Sequence, residues 1–391
     1  MAPYIQENTG IVTPPLTAGE TDSRSNGYIN GHSKGNSKQV LNIGVVGIGR
    51  MGQQHALNIL NRVPRAKLIC ACSPAPQDLI WAETNLVPHG VAVYASFEEM
   101  INTPGLDAVI ISSSNNLHYE HSKPCLQRGI HVLCEKPISQ SAEEIEDLIT
   151  VAEASNTKIM CGFTRRFDDD YLEALRKVRE DAIGSPVVIR SQGCEKLDLS
   201  DFNRTYLLGA GKVSGFFLDS FIHDIDLSLA FLEADGQTPI PRSVCALGSS
   251  VHFKELEKLG DADNAVGIIQ FWGGQISFHY NSRTAAAGYD NQTEVFGTKG
   301  KISVNLVSKR NRVEVSDGNG IHIEAMPGWA DKYKESFVEE VVQFADAILQ
   351  ERPLPVPMRS CVTSLSIAKA LQDSLRSGKK IEFDESGRRL S

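Results

Sequence analysis

Asp219, His223 and Asp226 fall at i, i+4 and i+7 within the apolar run Phe216–Leu232. On a helix that spacing puts the three on one face. A polar stripe on an otherwise apolar helix is costly unless it meets a partner or lines a cavity. A carboxylate one turn from an imidazole can orient the ring and raise its basicity, which suits a general base working near neutral pH. A satisfied core histidine and a mononuclear metal site compete with that reading. No His/Cys cluster completes a ligand set, so no metal is expected. Lys136 is the second chemically telling group, in Cys134-Glu135-Lys136-Pro137 at the close of an apolar run. Carboxyl ends of strands in an open α/β sheet face the ligand crevice, and Pro137 fixes the turn there. The competing reading is a surface lysine at a strand end.

Gly47-Ile48-Gly49-Arg50-Met51-Gly52 is G-x-G-x-x-G, following an apolar strand and opening a helix. In that context the first glycine allows the tight turn and the second a close approach of backbone to a pyrophosphate. The third allows close helix–strand packing, and the helix N-terminus supplies N–H donors. About twenty residues past the third glycine an acid would hold the ribose 2′-OH. Ser73 stands there, and the nearest carboxylate is Asp78. Loss of the acid removes repulsion against a 2′-phosphate, so the reading favours NADP over NAD, although no arginine follows.

These groups need elements to position them. Short apolar runs at 41–47, 66–73, 91–94, 107–112, 130–134 and 158–162 alternate with helical stretches, two of them opened by the capping boxes Ser96/Glu99 and Ser141/Glu144. That alternation predicts βαβ units and a parallel sheet. Beyond about residue 163 it stops. Strands are expected at 243–253, 265–272, 275–280, 293–296, 301–306, 312–315 and 321–324, with helices at 216–232, 334–350 and 362–377. Val266–Phe271 and Gln275–Tyr280 read as a hairpin around Trp272-Gly273-Gly274. The expected architecture is α/β. It has a disordered tail (1–40), an N-terminal Rossmann dinucleotide-binding domain (41–162) and a C-terminal α+β domain (163–391) with a large, mainly antiparallel open sheet. Lys196–Gly215, with Asp198, Asp201, Asn203, Arg204 and Lys212, is expected to close over the substrate.

Composition narrows the partners. The 391 residues carry 48 acids against 39 lysines and arginines, a net charge of −9 that gives no electrostatic reason to expect nucleic acid or a membrane surface. No apolar run approaches the roughly 18 residues of a membrane-spanning helix. Eight cysteines show no CxxC, and Cys70 and Cys72 read as buried free thiols, which suits a reducing compartment. Residues 1–40 lack an apolar targeting core and carry Glu7, Glu20 and Asp22, so the expected location is cytoplasmic.

Together these residues resemble the glucose–fructose oxidoreductase/inositol dehydrogenase/rhizopine-catabolism (Gfo/Idh/MocA) family of NAD(P)-dependent oxidoreductases. The match rests on the Gly47–Gly52 loop, Ser113-Ser114-Asn115-Asn116-Leu117-His118, Glu135-Lys136-Pro137 and Asp219-x-x-x-His223. Gly162–Asp168 and Gly288-Tyr289-Asp290 look like the inositol dehydrogenases within it. Two departures stand out: Ser113-Ser114 replaces Thr-Pro, and Ser73 replaces the acid usual in inositol dehydrogenases. The resemblance implies a sugar, cyclitol or related polyol as substrate and a homodimer or homotetramer. It assigns Lys136 to polarise the reacting oxygen and His223, assisted by Asp219, to exchange its proton. Gly47, Gly49, Arg50, Met51, Gly52, Ser73, Ser113, Asn115, His118, Glu135, Lys136, Pro137 and Arg165 would hold the cofactor. Arg165 and Tyr289 would join Lys136, Asp219 and His223 around the substrate. Two alternatives stay open. One is a glycoside-cleaving enzyme with tightly bound NAD(P), distinguished by a cofactor that never exchanges. The other is an NAD(P)-sensing transcriptional co-regulator, which could dispense with Lys136 and His223.

Overall fold

The computed structural model describes residues 39–198 and 215–390. The expected tail lies almost wholly outside them, as do Asp201, Asn203, Arg204 and Lys212 of the expected substrate-covering loop. The first half alternates as its pattern dictates: β1 Leu41–Val46, α1 Arg50–Arg62, β2 Ala66–Cys72, α2 Pro76–Asn85, β3 Ala92–Tyr94, α3 Phe97–Met100, β4 Ala108–Ile111, α4 His118–Gln127, β5 His131–Glu135, α5 Ala142–Ala154 and β6 Ile159–Gly162. Ser96 and Ser141 accept from the N–H groups of Glu99 and Glu144, so both capping boxes start helices. The strands form one parallel sheet in the order β3-β2-β1-β4-β5-β6. The order reverses between β1 and β4, and such a switch point opens a crevice at the carboxyl ends of the strands. Val45, Val109, Ile110, Val132 and Leu133 are buried in that sheet, as its near-continuous apolar runs require. Cys70 and Cys72 are buried and unbridged.

After α6 (Asp169–Arg179) the chain builds a second sheet. Its strands are β7 Pro186–Lys196, β8 Pro241–Ser249, β9 Asn264–Phe271, β10 Ile276–Ala285, β11 Asp290–Gly297, β12 Lys301–Val304 and, near the C-terminus, β15 Ile381–Glu382. They run in the order β12-β11-β7-β10-β9-β8-β15. Every pairing is antiparallel except β7 with β10, so the sheet is mixed and mostly antiparallel. The hairpin β9–β10 forms as its sequence predicts, with Gly274 at φ +91° in the turn.

Two strand expectations shift. The strand expected to reach residue 253 ends at Ser249, because the Asp263 carboxylate accepts from the N–H groups of Val251, His252 and Phe253 and turns the chain. The segments expected at 312–315 and 321–324 pair only with each other, as the ribbon β13 Glu314–Asp317 and β14 Gly320–Ile323. The expected helix at 216–232 also differs. It opens with a π-helical turn over Phe217–Phe221 and continues as α7, Ile222–Ala234. Single π turns inside helices often mark functional sites. Three more helices follow: α8 Trp329–Lys332, α9 Ser336–Leu349 and α10 Met358–Ser377.

Candidate active site

The glycine loop is shaped by two kinds of constraint. Gly47 has φ +87°, and a Cβ there would lie 2.7 Å from the backbone of Ser113 in the loop after β4. A Cβ on Gly52 would lie 1.8 Å from the carbonyl oxygen of Gly47. Protein packing therefore demands the first and third glycines. A Cβ on Gly49 would meet none of the described residues within 4 Å, so among them the second faces open space. A cradle that needs no side chain and opens toward the N-terminus of α1 fits a pyrophosphate. The residues present thus fit a dinucleotide.

One crevice is lined by Arg50, Met51, Ser113, Asn115, His118, Glu135, Lys136, Arg165, Asp219, His223 and Tyr289 from the expected set. Gly47, Gly49, Gly52, Ser73 and Pro137 are not among its lining residues. Pro137 instead acts through its carbonyl. The His118 ring is wedged between Pro137 O, 2.8 Å from Nδ1, and Ser113 O, 3.0 Å from Nε2, and so ties the turn after β5 to the loop after β4. The Lys136–Pro137 peptide is cis. Glu135 pairs with buried His55 at 2.8 Å.

Lys136 reaches across to the π turn. Its ammonium donates to the backbone carbonyl of Asp219 at 2.7 Å and to its carboxylate at 3.3 Å. Arg283 of β10 donates to the other Asp219 oxygen at 3.0 Å and lies 3.5 Å from Glu195 of β7. Burial alone would raise the Asp219 carboxyl, but Lys136 and Arg283 outweigh it and hold it down to about 2. Asp219 is thereby committed to two cations, and among the described residues its hydrogen bonds go to Lys136 and Arg283 rather than to the imidazole. Among the described residues, His223 Nδ1 is buried without a hydrogen-bond partner. Burial first, then the positive charges of Lys136 and Arg165, push the His223 ring well below its ordinary range. The basicity expected from a neighbouring carboxylate is thus reversed: His223 is neutral at pH 7, held so by desolvation and cations. Asp226 leaves the expected polar face entirely. It is buried against Arg166, which donates to both its carboxylate oxygens at 2.7 Å, and it does not line the crevice.

Arg165 is fixed from behind. It donates to buried Asp224 at 2.6 Å and to the Tyr289 hydroxyl at 3.3 Å. Asp224 also accepts from Ser191 and Asn281. Thr164, Glu195, Arg283, Trp329, Tyr333 and Phe337 line the crevice as well, although the sequence assigned none of them a site role. Arg50 lies over the Trp329 ring at 5.0 Å, so α8 contacts the glycine loop. Ser73, at the tip of β2, donates to Asp78 at 2.7 Å. Among the described residues no group of three or more His, Cys, Asp or Glu could hold a metal ion, and no helix is long and apolar enough to cross a membrane.

Comparison with known proteins agrees with this geometry. Residues 41–163 match the family model described as an oxidoreductase family with an NAD-binding Rossmann fold, and residues 171–303 match the GFO/IDH/MocA C-terminal domain. A myo-inositol 2-dehydrogenase of Thermotoga maritima is 29% identical over 346 residues, 88% of this chain and 99% of the relative. The scyllo-inositol 2-dehydrogenase (NAD(+)) of Bacillus subtilis is 27% identical over 346 residues, 87% of this chain and 95% of the relative. The crystal structure of a Lactobacillus casei scyllo-inositol dehydrogenase with bound NAD(H) and scyllo-inositol superposes with a TM-score of 0.80 at 30% identity. The match covers 88% of this chain and 99% of that one.

Proposed function

The chain belongs to the GFO/IDH/MocA family of NAD(P)-dependent oxidoreductases acting on CH–OH groups, and from that premise we propose that it interconverts a secondary alcohol and a ketone on an uncharged cyclitol-type polyol. The observation that carries the reading is the meeting of Lys136, Asp219 and His223 in the crevice that also holds the glycine-loop residues Arg50 and Met51.

A bound nicotinamide dinucleotide would supply the hydride acceptor or donor. The Gly47–Gly52 loop and the first turn of α1 would cradle its pyrophosphate, and Ser113, Asn115 and Glu135 would border it. In alcohol oxidation, Lys136 donates a hydrogen bond to the reacting oxygen and stabilises the charge that builds there. Neutral His223 takes the hydroxyl proton, and in ketone reduction it returns that proton to the same oxygen. Asp219 assists by fixing the ammonium of Lys136 rather than by touching the imidazole. Arg165 and Tyr289 donate to the hydroxyls that do not react. The Asp219 and Glu195 carboxylates accept from such hydroxyls.

Charge balance supports an uncharged substrate. Among the described residues, Lys136, Arg165 and Arg283 pair with Asp219, Glu195 and Asp224, so none of these three cations is left over for a phosphate or carboxylate. The names of the relatives support a cyclitol. A homodimer or homotetramer is part of the same reading, since the second sheet leaves Val188, Leu247, Ile268 and Phe296 exposed. Light scattering measures that assembly directly.

Purified protein incubated with NAD or NADP and a panel of inositol isomers, sugars and linear polyols tests the activity. Growth of the reduced-nicotinamide absorbance with at least one cyclitol is expected. No reduction of either cofactor by any member of the panel would overturn the proposal.

A further inference from the structure

We propose that Asp78 is the acid that receives the adenosine ribose, and that it makes this protein prefer NAD to NADP. The inference rests on the dinucleotide reading of the glycine loop. The amide of Gly47 donates to the carbonyl of Cys72 at 2.8 Å, so the first glycine and the tip of β2 are bonded neighbours. In this fold the adenosine ribose lies beyond that tip, where a carboxylate takes its hydroxyls. Ser73 occupies the tip, 3% exposed, with its amide held by the Tyr94 carbonyl of β3 at 3.2 Å. Its hydroxyl donates to Asp78 Oδ2 at 2.7 Å and accepts from the Ala75 amide at 3.3 Å.

That hydrogen bond has two chemical consequences. It draws a carboxylate from the first turn of α2 back onto the position the fold reserves for an acid, five residues later in sequence than expected. It also commits the Ser73 proton, so the hydroxyl can accept from a ribose but has no proton to give a 2′-phosphate. A phosphate at the same place would face the Asp78 charge, and Ser73-Pro74-Ala75-Pro76-Gln77 offers no cation to offset it. The NADP preference expected from Ser73 alone therefore reverses once Asp78 is counted.

Isothermal titration of the full chain with NADH and NADPH tests this by binding alone. Wild-type protein should bind NADH at least ~10-fold more tightly, as a charge-assisted hydrogen bond implies. Asp78→Asn should shrink that ratio by about the same factor, and Asp78→Arg should invert it. A helix-capping role alone would weaken both cofactors equally and leave the ratio fixed. Wild-type protein that binds NADPH as tightly as NADH overturns the inference even if neither variant folds. So does a folded Asp78→Asn protein with an unchanged ratio, while the dehydrogenase reading stands in both cases. Failure to bind either cofactor would remove the dinucleotide reading and this inference together.

Discussion

The ammonium of Lys136 and the backbone carbonyl of Asp219 are joined by a 2.7 Å hydrogen bond that links the end of β5 to the π turn before α7. Because the acceptor is a main-chain oxygen, the lysine is positioned by the shape of the turn as well as by the carboxylate. Lys136→Met should keep the fold, lower turnover at least ~10²-fold as expected for a positioned group, and leave NADH binding within a few-fold. Arg283→Met removes the second cation on Asp219 and the partner of Glu195. It should raise KM for the polyol more than it lowers kcat. Steady-state kinetics on both variants checks this, and a fully active Lys136→Met enzyme would remove its assignment.

The His223 ring is held well below its ordinary range by burial and by the charges of Lys136 and Arg165. A base must be neutral to accept a proton, and a depressed ring stays neutral as pH falls through 6.5. The acid limb of kcat/KM for alcohol oxidation should therefore lie below pH 6.5, and Arg165→Met, by removing one cation, should move it upward. An acid limb above 6.5 in the wild type contradicts the assignment. His223→Ala should lose the limb along with at least ~10²-fold in rate.

The glycine loop predicts opposite outcomes for two small changes. Gly52→Ala places a methyl 1.8 Å from the Gly47 carbonyl and should destabilise the protein measurably in urea. Gly49→Ala meets no atom of the described residues within 4 Å, so it should leave stability nearly unchanged and weaken dinucleotide affinity instead. Unfolding curves and titration calorimetry on the pair separate the two effects.

His279 is buried in β10, and burial holds its ring at about 4 against an ordinary 6.5, with Asp224 opposing and Arg165 adding to the shift. Between those values the unfolded chain binds a proton that the folded chain refuses. Its contribution to stability is therefore intact above pH 6.5, declines as pH falls through the window and is constant below about 4. The loss amounts to about 3 kcal/mol. His279→Asn should be less sensitive to acid over that window by a comparable amount. Urea unfolding of both proteins across the same pH range measures it, and parallel pH profiles would refute the linkage.

The parts of the site that lie close in sequence were legible there. Gly47–Gly52, Lys136 at the end of β5, and Asp219 with His223 are local patterns, and each lies where its element's geometry puts it. Arg283, Glu195 and Tyr333 were not, because they reach the crevice through β10, β7 and the segment between α8 and α9, whose neighbours are set by long-range pairing. Ser73 and Asp78 show the same limit at short range: spacing registers a missing acid, while the first turn of α2 brings one back to Ser73. The reversed electrostatics of His223 follow from how deeply the ring is buried and which cations surround it, quantities that helical periodicity does not carry. Within the second sheet, the parallel contact of β7 with β10 likewise depends on topology rather than on the alternation within either strand.

The π turn over Phe217–Phe221 holds one more residue than an α-helical turn would. Excising Ser220 or Phe221 from it would let the coil tighten and rotate the preceding backbone, Asp219 included, by about 100° about the axis. Every side chain credited with chemistry would still be encoded, yet the oxygen that catches the ammonium would point elsewhere. Activity here depends on a residue count as much as on residue identities, so a one-codon deletion would silence the enzyme while sparing every one of those side chains.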